Sequence, residues 1–160
     1  MQKVTILCTG KLKEKFYLDA AAEYAKRLSR FCKLDILELP EERLPENPSP
    51  AQVEAALSKE ADAVRAKLPA SCLLIAMCVE GKERSSEELA RYVADSASQG
   101  ASHIVFLIGS SFGMHPSLKQ QADLRLSMSP MTFPHHLLRV MLLEQIYRAY
   151  QINAGSRYHK

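Results

Sequence analysis

The sequence lacks a long hydrophobic run and the common cofactor motifs. Residues 1–16 hold only a short apolar stretch before the chain turns basic, too short for a signal-peptide core or a membrane span. We therefore expect a cytoplasmic protein with no membrane partner. There is no GxGxxG, no GxxxxGK followed by serine or threonine, and no HExxH. These absences exclude the dinucleotide fingerprint, the P-loop and the zinc-protease helix.

The cysteines also lack a functional pattern. Cys8, Cys32, Cys72 and Cys78 form no CxxC pair and have no metal-ligand spacing. At least three of them fall inside apolar runs typical of strands. We predict buried, reduced thiols and no metal site.

The composition is that of one globular domain. Hydrophobic residues make up 47% and charged residues 24% of 160 residues, which predicts a single domain over residues 1–160. The net charge of +3 is uneven, because both ends are basic and the middle is acidic. If the fold joins the ends, they form a positive surface suited to a phosphate backbone, with His135, His136 and His159 nearby. Two solvated basic faces are an equally compatible alternative.

Strand-like and helix-like segments alternate along the chain. Strands are predicted at residues 3–10, 33–40, 71–79, 103–109 and, more weakly, 124–128. Helices are predicted at 16–31, 49–68 and from Ser85 to Gly100, the last two opening with capping boxes. This order predicts an α/β fold with a mostly parallel sheet flanked by helices. Ligands bind such sheets beyond the carboxyl ends of the strands, which directs attention to EGKERS, GSSFGMHP and SMSPMTFPHH.

The last helix is more apolar than one buried face requires. Between Leu137 and Tyr150 only four residues are plainly polar. Covering one side with the sheet and the other with a second subunit would satisfy this pattern. We therefore predict a homodimer through this helix.

One nucleophile motif is present. Residues 109–113 fit GxSxG, the nucleophile turn of serine hydrolases, with Ser111 as nucleophile. Asp123 and a later histidine would complete a catalytic triad in the chain order Ser, Asp, His. Against it, the next helix starts only near Pro116, whereas the motif needs a helix directly after the serine. The alternative is a tight turn in which Gly109 and Gly113 supply conformations that a side chain would hinder.

The loop SMSPMTFPHH is stiff, because Pro130 and Pro134 fix the backbone. It could present backbone groups to a flat ligand, or it could merely aim the last helix. His135 and His136 stand at the helix start, where the dipole favours neutral rings. The tail GSRYHK would ordinarily be a frayed end, yet it combines groups that bind phosphate and move protons.

Three segments carry a family resemblance: VEGK (79–82), FLIGSSFG (106–113) and LSMSPMTFPHHLLRVMLLEQIYRAYQINAGSRYHK (126–160). Together they resemble the RlmH family of bacterial large-subunit ribosomal RNA methyltransferases. The resemblance implies the SPOUT α/β-knot fold with a C-terminal trefoil knot and S-adenosylmethionine as cofactor. It also implies a homodimer that methylates N3 of a pseudouridine in 23S rRNA, in the intersubunit-bridge loop of assembled ribosomes.

The resemblance also implies a set of site residues. The cofactor would contact Cys78, Gly109, Ser110, Ser129, Pro130, Met131, Thr132, Phe133 and Pro134. The family turn reads IGG, so Ser110 departs from it. N3 carries a proton, so a base is needed. We expect His159 as base, Tyr158 to position it, and His135 as second choice.

The RNA would contact a set of basic residues: Arg148, Arg157, Lys160, Lys11, Lys13 and Lys15. Because the tail is short, we expect it to complete the active site of the other subunit. A non-catalytic ribosome-binding factor of the same fold is the alternative that Ser110 leaves open.

Overall fold

Five strands alternate with five helices over residues 1–160, all of which the computed structural model describes. The elements are β1 (Lys3–Thr9), α1 (Lys15–Leu28), β2 (Lys33–Leu39), α2 (Pro50–Lys67), β3 (Leu73–Glu83), α3 (Ser86–Ser98), β4 (His103–Ile108), α4 (Pro116–Gln121), β5 (Leu124–Ser127) and α5 (His135–Asn153). Each predicted strand and helix is confirmed, including the weak strand at 124–128.

The strands form one sheet in the order β2-β1-β4-β3-β5, and every pairing is parallel. The larger apolar cluster packs one face against α1, α3 and α5, and the smaller one packs the other face against α2 and α4. The three central strands are therefore covered on both sides, which explains their nearly continuous apolar sequence. The predicted α/β class is confirmed.

The third strand is longer than the sequence indicates. We predicted that it ends at Val79, but β3 continues to Glu83 because Lys82 and Glu83 pair with β5 after a shift in register. Strands β3 and β5 approach closely here: a Cβ on Gly81 would lie 2.8 Å from the backbone carbonyl carbon of Arg125. EGKERS is thus strand for the most part. Strand pairing does not define how the chain threads, so the trefoil knot stays a prediction.

Both predicted capping boxes are present. The Ser49 hydroxyl accepts a hydrogen bond from the Gln52 N–H at 3.2 Å, and the Gln52 side chain accepts one from the Ser49 N–H at 2.8 Å. Ser85 and Glu88 repeat the pattern at α3. These bonds satisfy backbone donors that the first helical turn leaves free.

Helix α5 packs between α1 and α3, burying Leu142, Leu143, Ile146 and Ala149. Its outward side chains are only half-buried, so apolar surface remains uncovered in a single subunit. No helix combines the length and apolar character needed to span a membrane.

The cysteines differ from the prediction in part. Cys8 and Cys32 are buried, and burial raises their thiol pKa values to about 12 and about 11. Cys72 and Cys78 are only half-buried, because they lie toward the two ends of the third strand region rather than at its centre.

Candidate active site

A cavity of about 600 Å³ opens at the carboxyl ends of β3, β4 and β5, beside the first turn of α5. This is the edge where open parallel sheets bind ligands, and the volume suits a small molecule. Of the predicted cofactor residues, the following line it: Cys78, Gly109, Ser110, Ser129, Met131, Thr132, Phe133 and Pro134. Pro130 does not, although it belongs to the same loop.

The turn after β4 is closed by two backbone hydrogen bonds. The Ser110 N–H donates to the Gly113 carbonyl at 3.0 Å, and the Gly113 N–H donates to the Ser110 carbonyl at 2.8 Å. Gly113 has φ +88°, and a Cβ on Gly109 would lie 2.4 Å from the Gly113 carbonyl oxygen. Both glycines are therefore required, one for its conformation and one for close backbone approach.

The Ser110 side chain is turned away from ligand space. Its hydroxyl donates to Glu60 Oε1 on α2 at 2.8 Å, and Ser110 is buried. Glu60 does not line the cavity. No residue other than glycine has a positive φ, so the backbone of Ser110 is not in the left-handed region. Burial raises the pKa of Glu60, whose other oxygen accepts from the Glu42 N–H at 2.9 Å. The turn Ile108-Gly109-Ser110 thus accommodates a serine where the family sequence IGG has its second glycine.

The serine hydrolase arrangement does not form. The Ser111 hydroxyl is exposed and donates to Glu41 Oε1 at 2.5 Å. Asp123 lies toward the amino ends of the strands, where its carboxylate accepts from the Leu74 N–H at 2.8 Å. A nucleophile and its acid at opposite edges of the sheet cannot share a histidine.

The stiff loop wraps one side of the cavity. The Ser127 hydroxyl donates to the Ser129 carbonyl at 3.0 Å, and the Ser129 hydroxyl accepts from the Met131 N–H at 3.0 Å. These bonds tie the loop to itself on both sides of Pro130. The Met131 side chain, 73% exposed, lies at the mouth of the cavity.

His135 is the imidazole that lines the cavity. Burial, together with the neighbouring His136 ring, lowers the pKa of His135 and favours its neutral form. The predicted neutrality therefore agrees in direction, with burial as the main cause rather than the helix dipole. His136 instead contacts Glu14 at 3.3 Å, on the loop before α1.

The carboxyl-terminal tail lies elsewhere, at the junction of α3 and α5. The Tyr158 hydroxyl donates to Glu144 Oε1 at 3.0 Å, while His159 Nε2 lies 2.7 Å from Glu87 Oε1. Arg148 contacts His159 Nδ1 at 3.2 Å and Glu144 at 2.6 Å. None of these residues lines the cavity, so one chain does not bring His159 and Tyr158 to the predicted cofactor residues.

The predicted RNA-binding residues separate into two groups. Lys11, Lys13 and Lys15 are exposed beyond the carboxyl end of β1, near His135, whose Nε2 lies 3.7 Å from a Cβ built on Gly10. Arg157 and Lys160 are exposed in the tail, with the half-buried Arg148 beside them.

Two charged residues of the cavity rim were not predicted as site residues, although the segment EGKERS, which begins with Glu80, was expected at the ligand edge. Glu80 and Lys119 form an ion pair there, and the hydrogen bond from Lys119 lowers the pKa of Glu80. Glu80 directly follows a predicted strand, which could have indicated it. Lys119 belongs to a six-residue helix with no distinctive pattern. No group of three or more His, Cys, Asp or Glu side chains is arranged to hold a metal ion.

The fold is similar to that of solved structures described as probable methyltransferases or methylases. A family model described as "Predicted SPOUT methyltransferase" matches residues 2–159, so the chain belongs to the SPOUT methyltransferase family. A probable methyltransferase from Bordetella pertussis has a TM-score of 0.59 at 15% identity, covering 93% of this chain and 95% of that chain. A probable methylase family protein from Haemophilus influenzae has a TM-score of 0.54 at 13% identity, covering 99% and 71%.

Sequence relatives are more specific. A Bifidobacterium adolescentis protein named ribosomal RNA large subunit methyltransferase H is 48% identical over 158 residues, covering 99% of each chain. A protein of the same name from Streptococcus uberis is 46% identical over 158 residues, with the same coverage. The chain therefore belongs to the ribosomal RNA large subunit methyltransferase H family.

Proposed function

We propose that this protein transfers a methyl group from S-adenosylmethionine to large-subunit ribosomal RNA, at N3 of a pseudouridine in the intersubunit-bridge loop of 23S rRNA. The observation that carries the proposal is the cavity at the sheet edge. It is lined by eight of the nine residues that the family resemblance assigns to the cofactor. Membership of the family supplies the reaction class.

The cavity fits this cofactor chemically. Ile108, Leu126 and Leu138 give it an apolar wall suited to a flat purine, and the 127–134 loop adds backbone groups and the Ser129 side chain. The bound cofactor supplies an electrophilic methyl group on a sulfonium sulfur. The chain's part is to hold that group, exclude water and orient the RNA base.

The pseudouridine must lose the proton on N3 as the methyl group is transferred. His159 remains our proposal for the proton acceptor, with Tyr158 positioning it and His135 as the alternative already at the cavity. Arg148 and Arg157 would bind phosphate or the uracil carbonyls. In one chain the tail lies at the α3–α5 junction, so His159 would reach the cavity of a second subunit.

The proposal includes a homodimer, which the half-buried outer face of α5 supports. Dimer contact along that face would bring each tail toward its partner and would cover the remaining apolar surface. The ribosome as substrate places the reaction in the cytoplasm.

The alternative of a non-catalytic ribosome-binding factor rested on Ser110 alone. Its hydroxyl is bonded to Glu60 instead of projecting toward the ligand, so Ser110 no longer supports that alternative.

The test is transfer of labelled methyl from S-adenosylmethionine to ribosomes that lack this modification, followed by identification of the labelled nucleotide. Label on N3 of one 23S pseudouridine is expected. Label elsewhere would change the substrate, and a protein that neither binds the cofactor nor transfers methyl would overturn the proposal. Comparing joined ribosomes with free large subunits identifies the form that is methylated.

A further inference from the structure

Phe16 is an exposed aromatic residue at the start of α1. Its side chain is 66% exposed, although large aromatic rings usually bury most of their surface. Its only aromatic neighbour is Tyr17, with ring centroids 4.4 Å apart. An isolated exposed apolar residue needs no explanation, but the position of this one connects it to the cavity.

A series of ring contacts leads from Phe16 to the cavity. The Tyr17 ring lies 6.3 Å from the His136 ring, and His136 lies 4.2 Å from His135. His135 lines the cavity itself. Phe16 is therefore three ring contacts from the space assigned to the methyl donor.

The loop before Phe16 is anchored to the body of the protein. The Leu12 N–H donates to Glu38 Oε2 at 2.8 Å, and Arg139 of α5 binds the same carboxylate at 2.6 Å. Arg139 also donates to the Gly10 carbonyl at 3.2 Å. These contacts hold the loop in place before any partner binds.

The charges around the ring favour a nucleic acid as partner. Lys11, Lys13 and Lys15 are all exposed on the segment that leads to it. Two acids nearby are already paired, Glu14 with His136 at 3.3 Å and Asp19 with Lys15 at 2.7 Å. Lys11 and Lys13 form no ion pair within the chain. Lysine is depleted in protein–protein interfaces, whereas an aromatic ring beside lysines is the usual arrangement for single-stranded nucleic acid.

We propose that Phe16 stacks on an unpaired base of the RNA substrate, beside the nucleotide that enters the cavity, while Lys11 and Lys13 contact adjacent phosphates. This inference rests on the proposed function and adds a specificity contact that the family resemblance does not assign. Stacking accepts any base, so Phe16 selects an open loop over a paired stem rather than a particular sequence.

The first experiment compares Phe16→Ala with Phe16→Tyr, which keeps an aromatic face. Phe16→Ala is expected to raise KM for ribosomes by about tenfold, in line with the loss of one base stack, while kcat and the Kd for S-adenosylmethionine stay unchanged. Phe16→Tyr should retain the wild-type KM. The matched control is Leu18→Ala, because Leu18 is 45% exposed on the same helix but faces a different direction. A wild-type KM for Phe16→Ala would overturn the inference.

Salt dependence separates stacking from charge. Lys13→Ala should reduce the slope of log affinity against log salt by about one, because one phosphate contact is lost. Phe16→Ala should weaken ribosome binding while leaving that slope unchanged. Because binding is measured without turnover, wild-type protein that binds ribosomes without methylating them would contradict the proposed function, and Phe16→Ala would still test the stack.

A cross-linking experiment identifies what covers the ring. With p-benzoylphenylalanine in place of Phe16, irradiation on ribosomes is expected to give a cross-link to the 23S rRNA loop that carries the methylated nucleotide. The same photoreactive group in place of Leu18 should give none there. A cross-link from position 16 to a second copy of this chain, or a Phe16→Ala protein that sediments as a monomer, would assign the ring to a subunit interface and overturn the inference.

Discussion

At the scale of single residues, the Ser110 hydroxyl and the Glu60 carboxylate form a buried hydrogen bond. Glu60 is buried, and both of its oxygens accept hydrogen bonds, from Ser110 and from the Glu42 N–H. Such bonds offset part of the cost of burying a carboxylate, yet burial still raises its pKa. The Ser110 hydroxyl thus connects the turn beside the cavity to α2, a hydrogen bond that glycine at position 110 could not make.

The raised pKa of Glu60 predicts a pH-dependent difference between the wild type and Glu60→Gln. Below the usual pKa of 4.5, the carboxyl is protonated in both the folded and unfolded states and its full contribution is present. As the pH rises through the folded-state pKa, the unfolded state has already lost the proton and that contribution is lost. Wild-type stability should therefore fall relative to Glu60→Gln from about pH 4 upward.

Urea unfolding of both proteins across this range measures the difference. Glu46→Gln, at an exposed loop position, is the control and should follow the wild type at every pH. Parallel curves for wild type and Glu60→Gln would show that burial of Glu60 does not oppose its ionisation.

Gly109 gives a second residue-scale prediction. A methyl group there would meet the Gly113 carbonyl at 2.4 Å, and backbone cannot move aside as a flexible side chain can. Gly109→Ala should lower the free energy of unfolding by about 3 kcal/mol and weaken cofactor binding, since the turn lines the cavity. Urea unfolding and calorimetric titration with S-adenosylmethionine measure the two effects.

Gly100→Ala is the matched control for Gly109. Its Cβ would meet nothing within 4 Å, and its φ of +88° costs an alanine only about 1 kcal/mol. It should bind S-adenosylmethionine like the wild type. Equal loss of cofactor affinity in both variants would mean that general destabilisation, rather than the turn, weakens binding.

The residues of the cavity were predictable to different degrees. Cys78 and Gly109 lie at the carboxyl ends of predicted strands, and the 129–134 loop follows another, at the edge where parallel sheets bind ligands. Glu60 was not predictable, because it lies mid-helix and contacts a turn that follows it by 50 residues. A single charged position in an amphipathic helix has no sequence signal that distinguishes a buried carboxylate from a solvated one.

At the scale of secondary structure, the Glu38–Arg139 ion pair joins β2, the loop after β1 and the first turns of α5. The Arg139 side chain is 3% exposed and the Glu38 side chain 31%, and Arg139 Nε has no hydrogen-bond partner. Burial opposes ionisation of Glu38, but hydrogen bonds from Arg139 and from the Leu12 N–H outweigh it and lower its pKa. The Glu38 carboxylate therefore stays charged at neutral pH.

Removing one member should cost more than removing both. Glu38→Gln leaves a buried guanidinium without its carboxylate, so the free energy of unfolding should fall by about 3 kcal/mol. Adding Arg139→Met removes the unpaired charge and should recover most of that loss. Urea unfolding of the single and double variants measures both values. A double variant less stable than Glu38→Gln would show that Arg139 contributes chiefly through packing and its bond to Gly10.

Helix boundaries were predictable where local chemistry defines them. The Ser49 and Ser85 capping boxes form as expected because their hydrogen bonds join residues three positions apart. The end of β3 was predicted too early because its last pairs, Lys82 with Leu126 and Glu83 with Ser127, depend on a distant strand. Polar residues in a strand that is extended by pairing look like a loop in sequence.

At the scale of the whole molecule, alternation of strands and helices predicts a parallel sheet but not its order. The adjacency of β1 and β4 depends on long-range packing, and equally apolar strands give no preference for a neighbour. The position of the tail was also beyond sequence analysis, since His159 and Glu87 are 72 residues apart and form one exposed contact. In this arrangement the predicted base and the predicted cofactor residues lie at different places on one subunit.

This separation predicts complementation between two inactive proteins. A subunit lacking residues 158–160 keeps its cavity, while Thr132→Arg blocks the cavity at an exposed lining position and keeps its tail. Each should form an inactive homodimer, and the truncated protein should still bind S-adenosylmethionine. In a two-fold symmetric mixed dimer, one cavity is intact and faces one intact tail. Mixed dimers purified through two affinity tags should then show about half the wild-type rate of methyl transfer. If each tail instead served its own cavity, neither site of the mixed dimer would be complete and the dimer would be inactive.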